Sequence, residues 1–300
     1  MNTKDLELFI RIADSGNISA AARQLDITPA AASTAIKRLE KELGTVLFVR
    51  STRNLRLTEA GERYLSYCRS ALDTLQSARQ AIEHDQNTIS GNLRISVSSD
   101  FGRNLLLPWL DEIMDQHPSL ELSLTVGDSL TDFYHDRIDI ALRYIEPQDS
   151  NLIGFQLMQT ARILCATTEY MENSPALETP SQLAEHNCLC YQLQDQTYNH
   201  WHFTDAKGGQ HKVRVSGDRR SNDADLVRRW AVAGKGICLK SKLDMAADLK
   251  ARRLQQVLPE YQAGQATLWL LCPSRAQITP AVLLLRDRLR EKCDLLLAGL

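Results

Sequence analysis

Two helical patterns separated by a tight turn constrain the first sixty residues more than any other feature of the 300-residue chain. Ala20-Ala21-Ala22 through Leu25, with Ser19 as the expected N-cap, reads as one helix, and Asp26-Ile27 as the turn. Thr28-Pro29 opens the next helix with a capping hydroxyl and a proline at the first helical position. That helix runs to Leu43 and stops at Gly44. Upstream, apolar residues at 6, 9, 10 and 13 keep helical spacing up to Gly16. The expected buried set is Ala21, Ala22, Leu25, Ile27, Ala32, Ala35, Ile36 and Leu39, with the small residues placed where two backbones must cross. Asp26 stands where such turns most often carry glycine, and Asp tolerates the left-handed backbone a turn requires. A helix-turn-helix is the prediction.

The outward face of the second helix carries Ala30, Ser33, Thr34, Lys37, Arg38 and Lys41. Small and hydroxyl side chains near a helix start can approach base edges in a major groove, while later cations reach phosphates. Val46–Val49 and Leu55–Leu57 read as short strands around Ser51–Asn54, a wing with Arg50 and Arg53 near its tip. The net charge of −2 and pI near 6.4 do not announce a nucleic-acid partner. Residues 37–56, however, hold six basic residues against two acids, and residues 1–90 are +1 while residues 91–300 are −3. A basic stripe on an acidic chain points to contact at one end only.

These residues resemble the LysR-type transcriptional regulators. The resemblance is carried by Leu6-Glu7-Leu8-Phe9, Ser19–Leu25, Pro29 with Ser33, Ile36–Gly44, Leu47-Phe48, Arg50 and Leu57–Gly61, and continues more weakly through the chain. It implies that Pro29, Ala30, Ser33, Thr34 and Lys37 of the recognition helix and Arg53 of the wing contact operator DNA. Many family members have arginine where this chain has Thr34.

From Thr58 a long helix is expected, with Tyr64, Cys68, Ala71, Leu75, Ala78 and Ile82 at coiled-coil spacing. It should fray near His84–Asn87, with Ser90-Gly91 as a hinge. Beyond it, strand and helix patterns alternate (strands at 93–97, 120–126 and 138–143) and predict a parallel sheet flanked by helices, repeated in a second lobe from Ile163. The expected fold class is α+β overall: a winged helix-turn-helix (1–58), a dimerisation linker helix and hinge (59–90), and an α/β two-lobed effector domain (91–300). Lobe I would span about 91–162 plus 266–300 and lobe II about 163–265. The resemblance gives the same picture, a periplasmic-binding-protein-like effector domain, carried by Ser98–Arg103, Asp139–Arg143, Ser221-Asn222-Asp223 and Gly234–Ile237. It places Ser98, Ser99 and Phe101 after the first strand, Arg143 at a strand end and Asn222 at a helix start across the cleft. Two helix N-termini and an arginine suit a carboxylate, although Asp100 and Asp223 would oppose an anion, and turn, cap and ion-pair roles fit the same residues equally. Lys240-Ser241 replaces the usual apolar residue and proline of the family, as a ligand-facing charge or a surface substitution.

Cys188-x-Cys190 and His200-x-His202, flanked by His186 and His211, supply metal-type ligands but match no standard zinc spacing. Cys238 is an alternative thiol sensor. No P-loop, G-x-S-x-G, H-E-x-x-H or G-x-G-x-x-G motif argues for an enzyme or a cofactor, so catalytic residues and metal ligands are expected to be none. No run of eighteen apolar residues is present, and Met1–Glu7 lacks a secretory pattern, so a cytoplasmic location is expected. The expected partners are double-stranded operator DNA, an unidentified small-molecule effector, RNA polymerase as a candidate, and further copies of the chain as homodimer or homotetramer, with no membrane.

Overall fold

The computed structural model describes residues 2–50, 55–83, 89–129, 138–145, 147, 152–193 and 196–300. The chain divides into two compact units, residues 1–87 and 88–300. Among the described residues, no helix is long and apolar enough to cross a membrane.

The first unit contains α1 (Thr3–Ser15), α2 (Ile18–Gln24), α3 (Pro29–Leu43), the wing strands β1 (Phe48–Arg50) and β2 (Leu55–Leu57), and α4 (Glu59–Glu83). Gly16 and Gly44 end α1 and α3 in the left-handed region, at φ 62° and 66°, where a residue without Cβ carries no penalty. The Thr28 side chain caps α3 by accepting from the Ala31 N–H. The cap of α2 is Asn17 and not Ser19: its Oδ1 accepts from the N–H groups of Ser19 (2.8 Å) and Ala20 (3.1 Å). The helix starts two residues early, at Ile18, so Ser19 lies inside its first turn. Asp26 takes the left-handed backbone expected of it, φ 54°.

The core of this unit joins Leu6, Leu8, Phe9 and Ile12 of α1 to Ala21, Ala22, Ala32, Ile36, Leu39, Leu47 and Cys68. Leu25 and Ala35 are half-buried. Ile27, expected inside, is 38% exposed, because the turn closes through its N–H on the Ala22 carbonyl (3.0 Å) and leaves its side chain outside. The seam on α4 also needs correction. Tyr64 packs at a tilt against Phe9 (5.4 Å between centroids) and Cys68 is buried in the same core, so two of the six positions are used within the unit. Ala71 and Leu75 remain exposed. The side chains at 78 and 82, the expected fraying at His84–Asn87, and the wing tip with Arg53 lie outside the described residues.

In the second unit β3 (Gly91–Val97) leads into α5 (Ser99–Phe101), which continues through a wide π-type turn, Gly102–Leu106, into α6 (Leu107–Gln116). β4 (Leu120–Val126), β5 (Ile140–Arg143), β6 (Ile153–Ala166), α7 (Thr168–Glu172) and β7 (Cys188–Leu193) follow. Next come β8 (Gln196–Thr197), β9 (His200–Thr204), β10 (Gln210–Arg214), β11 (Arg220–Ser221), α8 (Ala224–Val232), β12 (Ile237–Ser241) and α9 (Lys242–Lys250). β13 (Gln255–Val257), β14 (Gln265–Cys272) and α10 (Pro280–Leu297) complete the chain.

The main sheet has the order β11-β7-β12-β6-β14-β5-β3-β4. Its ends are parallel, as the alternating pattern predicts, through β3–β4, β3–β5, β7–β11 and β7–β12. Its middle is not. β6 and β14 run antiparallel, paired from Ile153↔Cys272 to Ala161↔Gln265, and the far half of β6 pairs antiparallel with β12. β6 thereby serves both lobes, and β14 returns the chain to the first. Lobe I packs β3, β5 and β14 against α6 and α10 around Ile95, Leu106, Leu142, Leu268 and Leu289. Lobe II has apolar clusters around Leu183, Trp201 and Phe203 and around Val227, Ala231 and Met245. All seven cysteines are buried and unpaired.

The cap assignment separates two substitutions. Asn17→Ala should cost the first unit about 1 kcal/mol, whereas Ser19→Ala should stay within about 0.5 kcal/mol of the parent. Urea unfolding of both variants measures the difference.

Candidate functional site

On the first unit Pro29, Ala30, Thr34, Lys37 and Lys41 are exposed along α3, and Ser33 is half-buried. The Thr34 hydroxyl donates to the Ala30 carbonyl at 2.9 Å, which fixes its rotamer and leaves its lone pairs facing outward as acceptors. Arg38 is engaged elsewhere: its guanidinium donates to Asp5 at 2.7 Å, and Asp5 is buried on α1. Glu40, an acid within the basic stripe, accepts from the N–H groups of Leu47 (2.8 Å) and Phe48 (3.2 Å) and so ties the wing to α3. Sequence reading had no signal for that role. Arg50 ends β1, with its side chain outside the described ones, as is Arg53 altogether.

In the second unit the start of α5 in lobe I faces the start of α8 in lobe II. Between them lies the carboxylate of Asp128, which accepts from the Ser99 N–H (2.7 Å), the Ser99 hydroxyl (2.6 Å) and the Ala224 N–H (2.7 Å). Ser99 Oγ in turn accepts from the Asp225 N–H at 3.3 Å. Ser98 precedes them at the N-cap position, makes no cap bond, and has a buried Oγ without a hydrogen-bond partner. Arg143 is buried, donating to the Leu142 carbonyl (2.9 Å) and to Ser96 (2.7 Å). Burial lowers the pKa of its guanidinium, opposed by the charge of Asp128 and by Tyr191. Asn222 is exposed just before α8. Phe101 is fully buried in lobe I, edge-on to Trp109 and Tyr144, which makes its ring part of the core.

The seam between the lobes is ionic, with buried Lys240, Asp100, Asp225 and Asp244 at its centre. Lys240 Nζ contacts Asp100 and donates to the Ala224 carbonyl at 2.8 Å. It is therefore neither a surface replacement nor a cation facing a ligand, but the buried partner of a carboxylate on the other lobe. Burial works to lower the pKa of this ammonium, and attraction to Asp100 and Asp244 outweighs it, so Lys240 stays charged. Tyr144 donates to Asp244 (2.6 Å), and Asn104 donates to Asp225 (2.8 Å) and to Asp100. Arg103 reaches Asp223 at 2.8 Å. Arg103 and Asn104 both project from the π-type turn, a distortion that recurs at functional positions. Asp100 and Asp223, expected to repel an anion, are each compensated by a cation.

The metal and thiol alternatives are not supported. Cys188 and Cys190 are buried in the lobe II core, whereas His200 and His202 are exposed on β9, alternating with buried Trp201 and Phe203. His186 is buried and His211 bonds Asp205. Among the described residues, no three His, Cys, Asp or Glu side chains are placed to hold a metal ion. Cys238 is fully buried, and burial pushes its thiol up to about 12, so the reactive thiolate is disfavoured.

Two family models match the chain: the bacterial regulatory helix-turn-helix protein, lysR family, over residues 3–62, and the LysR substrate binding domain over residues 86–294. Among curated proteins, the HTH-type transcriptional activator TtdR of Escherichia coli (strain K12) is 35% identical over 268 residues, 89% of this chain and 85% of that protein. The HTH-type transcriptional regulator DmlR of the same organism is 31% identical over 287 residues, 96% of this chain and 93% of that protein. Among solved structures, the full-length Vibrio cholerae virulence activator AphB is 25% identical with a TM-score of 0.58, covering 96% of this chain and 98% of that one. Full-length LysG of Corynebacterium glutamicum, with bound effector Arg, shares the fold at 19% identity and a TM-score of 0.65, covering 98% of both chains.

The seam makes two measurable predictions. Lys240→Met should destabilise the second unit by about 3–5 kcal/mol, because Asp100 is left buried without its partner, and adding Asp100→Asn should restore much of the loss in urea unfolding. Burial, joined by repulsion from Asp100, pushes the Asp244 carboxyl up to about 7. The folded chain then holds a proton that an unfolded aspartate, titrating near about 4, releases. Stability should fall as pH rises from about 4 to about 7, and Asp244→Asn should remove that part of the slope in melts across this range.

Proposed function

The chain belongs to the LysR family of bacterial regulatory helix-turn-helix proteins, and on that premise we propose that it is a cytoplasmic transcriptional regulator whose operator binding answers to a small molecule held between the lobes of residues 91–300. The observation that carries the reading is the exposed face of α3. Pro29, Ala30, Thr34 and Lys37 lie open to solvent at a capped helix start, with Lys41 one turn further on. In this reading α3 enters the major groove, where Ala30, Ser33, Thr34 and Lys37 meet base edges. Lys41, and Arg50 and Arg53 of the wing, meet phosphates or the minor groove, and the basic stripe supplies non-specific affinity. Arg38 has its first duty to Asp5, so its share in DNA contact is secondary.

The effector site in this reading is the cleft that Ser98, Ser99, Arg143 and Asn222 approach, with Phe101 supporting it from the core. Effector binding shifts the balance between two arrangements of the lobes and thereby alters how copies of the chain present their α3 helices to DNA. The chain acts as a homodimer or homotetramer, with no catalytic role of its own. RNA polymerase is the natural partner where the outcome is activation, as the name of the TtdR relative suggests for that protein.

Lys37→Ala should weaken operator binding by about 1–3 kcal/mol where Lys37 reads a base, and lower the salt slope by about one where it meets phosphate. Fluorescence anisotropy across a salt series reads both quantities, and no change in either removes α3 as the recognition helix. Arg38→Ala should chiefly lower the melting temperature of the first unit, since it leaves Asp5 buried without its partner.

A further inference from the structure

The carboxylate of Asp128 sits where the proposed function would place the acid group of a ligand. Three donors converge on it: the N–H and the hydroxyl of buried Ser99 from lobe I, and the N–H of Ala224 from lobe II. A carboxylate offers about four acceptor directions, so Asp128 satisfies most of its capacity at this one place. Its charge also acts on buried Arg143. Beside the seat, Ser98 Oγ is buried with no partner, although Ser98 stands at the N-cap position where a serine ordinarily bonds its own helix. The other acids at this face have separate partners: Asp100 has Lys240, and Asp223 has Arg103 and the N–H groups of Asp225 and Leu226. Asp100 and Asp223 each meet a cation from the other lobe, whereas the bonds to Asp128 come from one hydroxyl and two backbone N–H groups.

We propose that Asp128 is an internal ligand of the cleft, whose carboxylate fills the seat that a carboxylate of the effector takes over. The proposal rests on the reading of the cleft as the effector site and adds the chemical class of the effector, a small organic acid, together with the residue it displaces. A tethered carboxylate competes at an effective concentration on the order of millimolar. A simple monocarboxylate therefore gains little in the parent chain, and the effector must bring further contacts, for which the Ser98 hydroxyl is available. Exchange of one carboxylate for another leaves the charge at the seat unchanged. It breaks the bridge that Asp128 makes between Ser99 and Ala224, and loss of that bridge is the signal.

The test is chemical rescue on the full-length chain, with formate as the probe. Asp128→Ala removes a carboxylate and keeps the Cβ, so the vacated space is that of formate. We expect Asp128→Ala to lower the melting midpoint, and formate to raise it again by about 2–4 °C over sodium chloride at equal ionic strength. The parent chain and Asp128→Asn, whose amide still fills the seat, should respond to formate no more than to chloride. Equal response of all three chains to formate and chloride overturns the proposal. Should Asp128→Ala fail to fold, amide hydrogen exchange decides. The Ala224 N–H must exchange faster in Asp128→Asn than in the parent chain, and unchanged exchange overturns the proposal. Operator affinity, measured in parallel, separates the two readings. Formate rescue of Asp128→Ala without any change in operator binding keeps Asp128 as the occupant of the seat and removes the effector reading of the cleft.

Discussion

The buried ammonium of Lys240 contacts the carboxylate of Asp100 and feels the charge of Asp244, and the second unit is arranged so that this charge is never left alone. An ion of that size taken out of water costs several kcal/mol unless close partners replace its hydration. The partners come from both lobes: Asp100 from the helix that follows β3, Asp244 from the helix that follows Lys240's own strand, and the Ala224 carbonyl from the start of α8. Separating the lobes at this seam would strand Lys240 and Asp100 together. Tyr144, Asn104 and Arg103 add bonds across the same seam. The lobes are thus held together on one side by an ionic contact centred on buried groups.

The crossing of β6 makes that contact geometrically reachable. Its first half belongs to the sheet of lobe I and its second half to that of lobe II, with β14 returning antiparallel beside it. The strand ends that carry Ser98 and Arg143 therefore lie at the face toward which α8 points its first N–H groups. Asp128 bridges that face, and the ionic seam lies next to it through Asp225 and Ala224.

In the first unit the same economy governs charge. The stripe at residues 37–56 counts six basic residues and two acids, yet Arg38 is committed to Asp5 and Glu40 to two wing amides. Both commitments are structural, and together they hold α3 at a defined angle to α1 and to the wing. Among the described side chains of the stripe, Lys37, Lys41 and Arg56 are the remaining exposed cations with a face open to a polyanion.

How much of this was legible depended on how far apart the interacting residues stand in the chain. The turn at Asp26, the Thr28 cap with Pro29, the Gly16 and Gly44 stops and the small residues at the helix crossing were readable, because each depends on neighbours within a few residues. The alternating pattern likewise carried the parallel ends of the sheet. It could not show that β6 and β14 run antiparallel between the lobes, since apolar alternation has no direction. Nor could it show Tyr64 and Cys68 turned into their own core. The partner of Lys240 lies 140 positions away, that of Arg103 lies 120 away, and Asp128 meets Ala224 across 96. The sequence by itself determined the winged helix-turn-helix and the two-lobed plan, because backbone propensity and burial are local or periodic properties. The tertiary structure alone decided which charges compensate one another and which donors Asp128 meets between the lobes, because Coulomb and hydrogen-bond partners are chosen by distances of about 3 Å, and only the folded chain sets those.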